Sequence, residues 1–130
     1  MAKEKILIVE DERALIKAYS EHFTSEGYDV EVAYDGEEGL AKVRSLKPDL
    51  VLLDIIMPKK DGMEVLREMK SNPAMKTIPV MILTNLETSK GISEAVGVGS
   101  VQYLVKANYS LEQLSARVKE VLHVMKSDEK

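Results

Sequence analysis

The sequence predicts an α/β domain of five consecutive βα units, forming one parallel sheet covered by helices on both faces. Three observations predict it. Short β-rich runs alternate five times with longer stretches of helical periodicity. The first, third and fourth runs are almost wholly apolar, as central strands buried on both faces are. The joints are short, so each strand reaches a parallel neighbour through a helix and a right-handed crossover.

Strand 1 is "KILIVE" (5–10) and runs into two more acids, Asp11 and Glu12. Helix 1 follows at about 12–26, with Gly27 placed where helices commonly end in a left-handed residue. Strand 2 is "DVEVA" (29–33) and helix 2 spans 36–46. Pro48 opens strand 3, "DLVLLD" (49–54), whose apolar run is broken by one carboxylate, Asp54. Asp61-Gly62 reads as the turn into helix 3 (62–72), and Pro79 opens strand 4, "PVMILT" (79–84). Helix 4 (87–97) mixes Gly91, Gly97 and β-branched residues of low helix propensity, so it is expected to be marginal and more mobile than helix 5. Strand 5, "VQYLV" (101–105), runs into Lys106. Ser110 is the N-cap candidate of helix 5 (110–126), which places Leu111, Leu114, Val118, Val121, Leu122 and Met125 on one stripe. Met63, Met69, Met81 and Met125 read as core filler, and His22 and His123 as surface residues beside the stripes.

A chain of 130 residues, 45% hydrophobic, suits one compact domain, 1–130 with its core at about 4–125. It has no cysteine, which excludes a disulfide scaffold and thiol chemistry and fits a reducing compartment, so a cytoplasmic location is expected. No apolar run approaches a membrane span, and the first is too short and too soon acidic for a signal peptide. The net charge is −4 and basic residues are scattered except at Lys59-Lys60, so no direct contact with nucleic acid is expected.

Open parallel sheets bind ligands beyond the carboxyl ends of their strands. Those ends carry Glu10-Asp11-Glu12, Asp54, Thr84-Asn85 and Lys106. Two carboxylates about 5 Å apart repel by roughly 3 kcal/mol at an effective dielectric near 20. Gathering Glu10, Asp11 and Asp54 therefore calls for a cation. Hard oxygen ligands without cysteine or a placed histidine favour Mg2+ (or Mn2+) over zinc. A lysine and a threonine hydroxyl facing that metal would complete a phosphoryl site.

At these residues the sequence resembles the receiver domains of two-component response regulators, such as the chemotaxis regulator CheY. The resemblance covers about residues 4–125 and rests on "ILIVEDE", "LLDIIMPKKDG", "ILTN" and "YLVKA", four motifs in order at strand ends. It implies a flavodoxin-like (βα)5 three-layer sandwich with strand order 2-1-3-4-5. It implies that Asp54 accepts a phosphoryl group from a sensor histidine kinase or phosphotransfer protein. Asp11 and Asp54 would ligate Mg2+ directly, Glu10 through water, and Ile56 through its backbone carbonyl. Lys106 and Thr84 would bind phosphate oxygens. Thr84 and Tyr103 would then move together and change the helix 4–strand 5–helix 5 face, which a downstream protein reads; the domain itself would be a monomer or a phosphorylation-dependent dimer. Such a domain catalyses only its own phosphorylation and dephosphorylation.

Each residue also has a plainer reading. Asp54 could cap a loop, Glu10 and Asp11 could favour the start of helix 1, and Lys106 could be a solvated lysine. Thr84 could be a strand residue and Tyr103 ordinary packing. Three features depart from the family pattern. Ala107 stands where a cis proline usually follows the lysine, which leaves either a trans bond with a shifted loop or a strained cis bond. Asn85 replaces a small residue, and Ile56 offers no polar atom to orient a hydrolytic water. Together they predict a long-lived acyl phosphate. The rival reading is a receiver-like interaction module that is not phosphorylated. A flavodoxin-type cofactor site is disfavoured because "EDERA" after strand 1 would repel a flavin phosphate. A haloacid-dehalogenase-type phosphatase would want a second aspartate at Ile56. The chain ends in polar "KSDEK" with no effector domain after helix 5, as expected of a stand-alone receiver or one taken from a longer protein.

Overall fold

The computed structural model describes residues 3–55, 57, 60–85 and 102–128. Five strands form one parallel sheet: β1 Lys5–Val9, β2 Asp29–Ala33, β3 Leu50–Leu53, β4 Val80–Thr84 and β5 Gln102–Val105. Their order is β2-β1-β3-β4-β5, so the three most apolar strands are central, as their composition predicts. The helices described are α1 Arg13–Ser25, α2 Gly36–Leu46, α3 Gly62–Ser71 and a C-terminal helix Leu111–Asp128. The expected helix 4 lies outside the described residues, as do Ile56 and the side chain of Met125. Among the described residues no helix is long and apolar enough to cross a membrane.

Pleat alternation divides the interior into two cores. Leu7, Val9, Val51, Leu53, Val80 and Ile82 pack with α2 and α3 residues such as Leu40, Val43, Leu66 and Met69. Ile6, Ile8, Leu50, Leu52, Met81 and Leu83 pack instead with Tyr19 and Phe23 of α1 and with Leu114, Val118, Val121 and Leu122 of the C-terminal helix. Met63, Met69 and Met81 are buried, as core filler should be.

Side-chain caps set the starts of α2, α3 and the C-terminal helix. Asp35 accepts from the Glu38 N–H at 2.8 Å and Asp61 from the Glu64 N–H at 2.9 Å. Ser110 Oγ accepts from the Gln113 N–H at 3.1 Å, while Gln113 Oε1 accepts from the Ser110 N–H at 2.9 Å, a reciprocal capping box. After α1, Gly27 adopts φ 97°, as expected of the residue that ends the helix. His22 is less exposed than expected: it is half-buried, edge-on to Phe23 at 5.7 Å and 3.7 Å from Glu26, both on its own helix or at its C-cap. His123 is exposed.

Candidate functional site

Sheet register brings the polar residues together. Val9 pairs with Leu53, so the next residues, Glu10 and Asp54, leave adjacent strands side by side. Backbone bonds hold them: Asp54 N–H donates to the Val9 carbonyl and Glu10 N–H to the Ala33 carbonyl, both at 3.0 Å. Glu10, Asp54 and Lys106 continue the alternation of Ile8, Leu52 and Leu104, which share one face. That shared parity sends all three side chains to one side. Thr84 ends β4 opposite Val105 and is 1% exposed.

The side chains meet in a cleft of about 260 Å³ lined by Glu10, Asp11, Glu12, Asp54, Thr84, Asn85 and Lys106. One carboxylate oxygen from each of Glu10, Asp11 and Asp54 lies within 4.8 Å of the others. Glu10 and Asp54 are buried and Asp11 is exposed. Lys106 Nζ donates to Glu10 Oε1 and lies 3.4 Å from Asp54 Oδ2. The other Glu10 oxygen accepts from the N–H groups of Asp11 at 3.0 Å and Glu12 at 3.2 Å.

Burial, reinforced by the charge of Asp54, pushes the Glu10 carboxyl from 4.5 up to about 7, against the opposing pull of Lys106 and the Glu12 N–H. Burial alone would lower Lys106; its bond to Glu10 and the charge of Asp54 outweigh that and hold the ammonium above its ordinary value. Three carboxylates facing one lysine leave an excess of negative charge, and the donor set is hard oxygen throughout. The cluster fits a hard divalent cation such as Mg2+.

Glu10, Asp11, Asp54, Thr84 and Lys106 thus share the cleft, while Ile56 lies outside the described residues. Tyr103 is half-buried and packs against the core on the α2 and α3 side of the sheet. Burial, and then the charge of Asp54, raise its hydroxyl above the ordinary tyrosine value. No peptide bond is cis among the described residues, so Lys106–Ala107 is trans and opens a 3-10 turn, Lys106–Asn108. Lys106 still reaches both carboxylates through this turn.

Gly62 has a role beyond its turn. Its N–H donates to the Ile55 carbonyl at 2.8 Å, and a Cβ there would meet the Asp54 carbonyl and stand 2.7 Å from Ile55 Cα. Only glycine lets α3 start directly beneath the main chain of Asp54. The Asp-Gly pair was the available signal, and it reads equally well as any helix-entry turn. Glu12 also lines the cleft and turns its N–H to Glu10, which its place in an acidic run does not reveal.

The model of the response regulator receiver domain family matches residues 6–119. The chain is 35% identical over 119 residues to the alkaline phosphatase synthesis transcriptional regulatory protein PhoP of Bacillus subtilis, covering 92% of this chain and 48% of that protein. It is 36% identical over 118 residues to the response regulator ArlR of Staphylococcus saprophyticus, covering 91% of this chain and 52% of that one. The chain therefore spans about half the length of these relatives. Among solved structures, a CheY-like receiver domain protein from Methanospirillum hungatei superposes with a TM-score of 0.90 at 27% identity, covering 98% of this chain and 99% of that one. The Vibrio cholerae chemotaxis protein CheY4 superposes with a TM-score of 0.85 at 30% identity, covering 92% and 99% respectively. With the β2-β1-β3-β4-β5 sheet and the acidic cleft at its carboxyl edge, these matches establish that the chain belongs to the response regulator receiver domain family.

Proposed function

We propose that this chain, as a single receiver domain over residues 1–130, takes a phosphoryl group onto Asp54 and so switches a signalling surface. Receiver domains are phosphorylation-dependent switches rather than metabolic enzymes. The observation that carries the assignment to Asp54 is its place in the cleft: a buried carboxylate near Glu10 and Asp11, with Lys106 Nζ 3.4 Å away. One Asp54 oxygen attacks phosphorus, the phosphorus–nitrogen bond of a phosphohistidine breaks, and the imidazole leaves with the electron pair. The product is an acyl phosphate. The donor is a sensor histidine kinase or a phosphotransfer protein.

Receiver domains usually bind Mg2+ at an acidic pocket, and Asp11 and Asp54 would hold it directly with Glu10 acting through water. Bound there, the ion supplies charge neutralisation for the phosphoryl oxygens and the crowded carboxylates. Lys106 then shifts from carboxylate to phosphate oxygens, and the Thr84 hydroxyl donates to another. Tyr103 follows Thr84, and the face of β5 and the C-terminal helix, together with the helix 4 expected from the sequence, presents a new surface to a downstream protein. Asn85 lines the cleft mouth and slows the approach of water, which favours a long-lived phosphorylated state. The domain works in the cytoplasm as a monomer or a phosphorylation-dependent dimer. The transcriptional role named for the Bacillus relative belongs to that longer protein; for this domain, with net charge −4, we place the output in protein contact.

Incubation with Mg2+ and a small phosphodonor, or with phosphorylated histidine kinases, followed by intact-mass and peptide mapping, tests the assignment. One phosphoryl group on Asp54, absent in Asp54→Ala, is expected. Failure with every donor would favour the rival reading, an interaction module that is not phosphorylated. A phosphoryl lifetime of seconds, lengthened by neither Asn85→Ala nor any Ile56 change, would contradict the slow-release reading.

A further inference from the structure

We infer that the β2–α2 corner, Ala33 to Gly36, is a positioning element of the phosphoryl site, although none of its side chains enters the cleft. The inference rests on the reading of Glu10, Asp11 and Asp54 as a cation-binding set. Those carboxylates come from two separate loops, one after β1 and one at the end of β3. A metal site needs the two loops at a fixed separation, and the corner touches both.

On the first side it makes two contacts, one to the loop at Glu10 and one to the start of α1 at Arg13. The Ala33 carbonyl accepts from the Glu10 N–H at 3.0 Å. The Tyr34 ring lies beneath the Arg13 guanidinium, 4.2 Å from carbon to ring centroid, and Arg13 stands two residues after Asp11. On the second loop the contact is steric. Gly36 packs against the main chain of Lys60; a Cβ at Gly36 would collide with the Lys60 carbonyl oxygen and stand 2.7 Å from its carbon. Lys60 is also tied to α3, where its Nζ donates to both Glu68 oxygens, at 2.9 and 2.8 Å. Gly62 pins the other end of the same loop under Asp54 and Ile55.

The corner is itself braced. Asp35 caps the Glu38 N–H at 2.8 Å while the Glu38 side chain accepts from the Tyr34 N–H at 3.1 Å. This reciprocal bonding fixes Tyr34 and Gly36 relative to each other. The corner therefore acts as a spacer: Arg13 and Glu10 rest on one side, Lys60 on the other. Outer groups that orient ligands commonly alter metal affinity by tenfold or more without touching the ion.

The test is calorimetric titration of the full chain with MgCl2, alongside its urea midpoint in metal-free buffer. Tyr34→Ala, which removes the stacking platform, is expected to weaken Mg2+ binding by roughly tenfold. Gly36→Ala, which pushes the Lys60 main chain outward, is expected to do the same. Tyr34→Phe keeps the ring and should bind as the parent does. A merely structural role would lower the urea midpoint of Tyr34→Ala and leave its affinity unchanged. If the parent binds Mg2+ in an Asp54-dependent way and both Tyr34→Ala and Gly36→Ala bind equally well, the spacer role is refuted while the site stands. If the parent does not bind Mg2+ at all, the reading of the carboxylates fails and the spacer role falls with it.

Discussion

Asp54→Asn changes a charge and almost nothing else, so it measures what the crowded cleft costs the metal-free protein. At an effective dielectric near 20, Glu10 repels the Asp54 carboxylate across at most 4.8 Å by about 3.5 kcal/mol. Asp11 is exposed and screened, and adds about 1 kcal/mol. Lys106 at 3.4 Å returns about 5 kcal/mol, so the pair interactions nearly cancel. What remains is the cost of taking a 7% exposed carboxylate out of water, several kcal/mol before relaxation. Asp54→Asn is therefore expected to stabilise the protein by about 2 kcal/mol in EDTA at pH 8, on the order of 5–10 °C in Tm. At pH 5.5 Glu10 is protonated, its repulsion disappears, and the advantage should shrink to nothing or reverse. Mg2+ at a hundredfold its Kd should stabilise the parent by about 2.7 kcal/mol and the variant by much less. Urea denaturation under these three conditions is the assay. Asp54→Asn no more stable than the parent at pH 8, or equally favoured at pH 5.5, would mean that the crowded cleft does not burden the metal-free protein.

Glu10 should also impose its own pH dependence. Its folded pKa of about 7 lies above the ordinary 4.5, so the native state binds the extra proton between those values and stability falls as pH rises through them, by at most about 3 kcal/mol. Urea curves at pH 5 and pH 8 in EDTA should show that loss in the parent and little of it in Glu10→Gln; identical slopes would count against the buried-carboxyl account. Lys106→Met leaves Glu10 and Asp54 without their countercharge and should cost about 3 kcal/mol at pH 8, most of it recovered with Mg2+. An unchanged urea midpoint would mean that Lys106 does not balance the cluster. Ser110→Ala removes one half of the capping box and should cost about 1 kcal/mol, with faster hydrogen exchange in the first turn of the C-terminal helix and unaltered Mg2+ affinity.

Much of this molecule is legible because its signals are local. β1, β3 and β4 are read from apolar runs too short for helices, and their observed ends fall within a residue of those expected. Asp61 and Ser110 mark helix starts through side chains that reach only three residues ahead; Asp35 does the same for α2, a cap not among those expected. The polar residues at the strand ends follow from the strands themselves, since a parallel sheet delivers every carboxyl end to one edge. His22 is half-buried where a surface place was expected, because a helix wheel shows which residues share a stripe, and not how neighbours such as Phe23 and Glu26 cover one beside it.

The alternation of elements, the central strands, and the gathering of Glu10, Asp11, Asp54, Thr84 and Lys106 at one edge are written along the chain. Periodicity and chain connectivity suffice for that. It takes the folded chain to fix that Lys106 bonds Glu10 as well as approaching Asp54, that Lys106–Ala107 is trans, and that Gly36 bears on Lys60. Those outcomes depend on distances between segments far apart along the chain, set by sheet register and by how closely two backbones approach. No local pattern in the sequence encodes them.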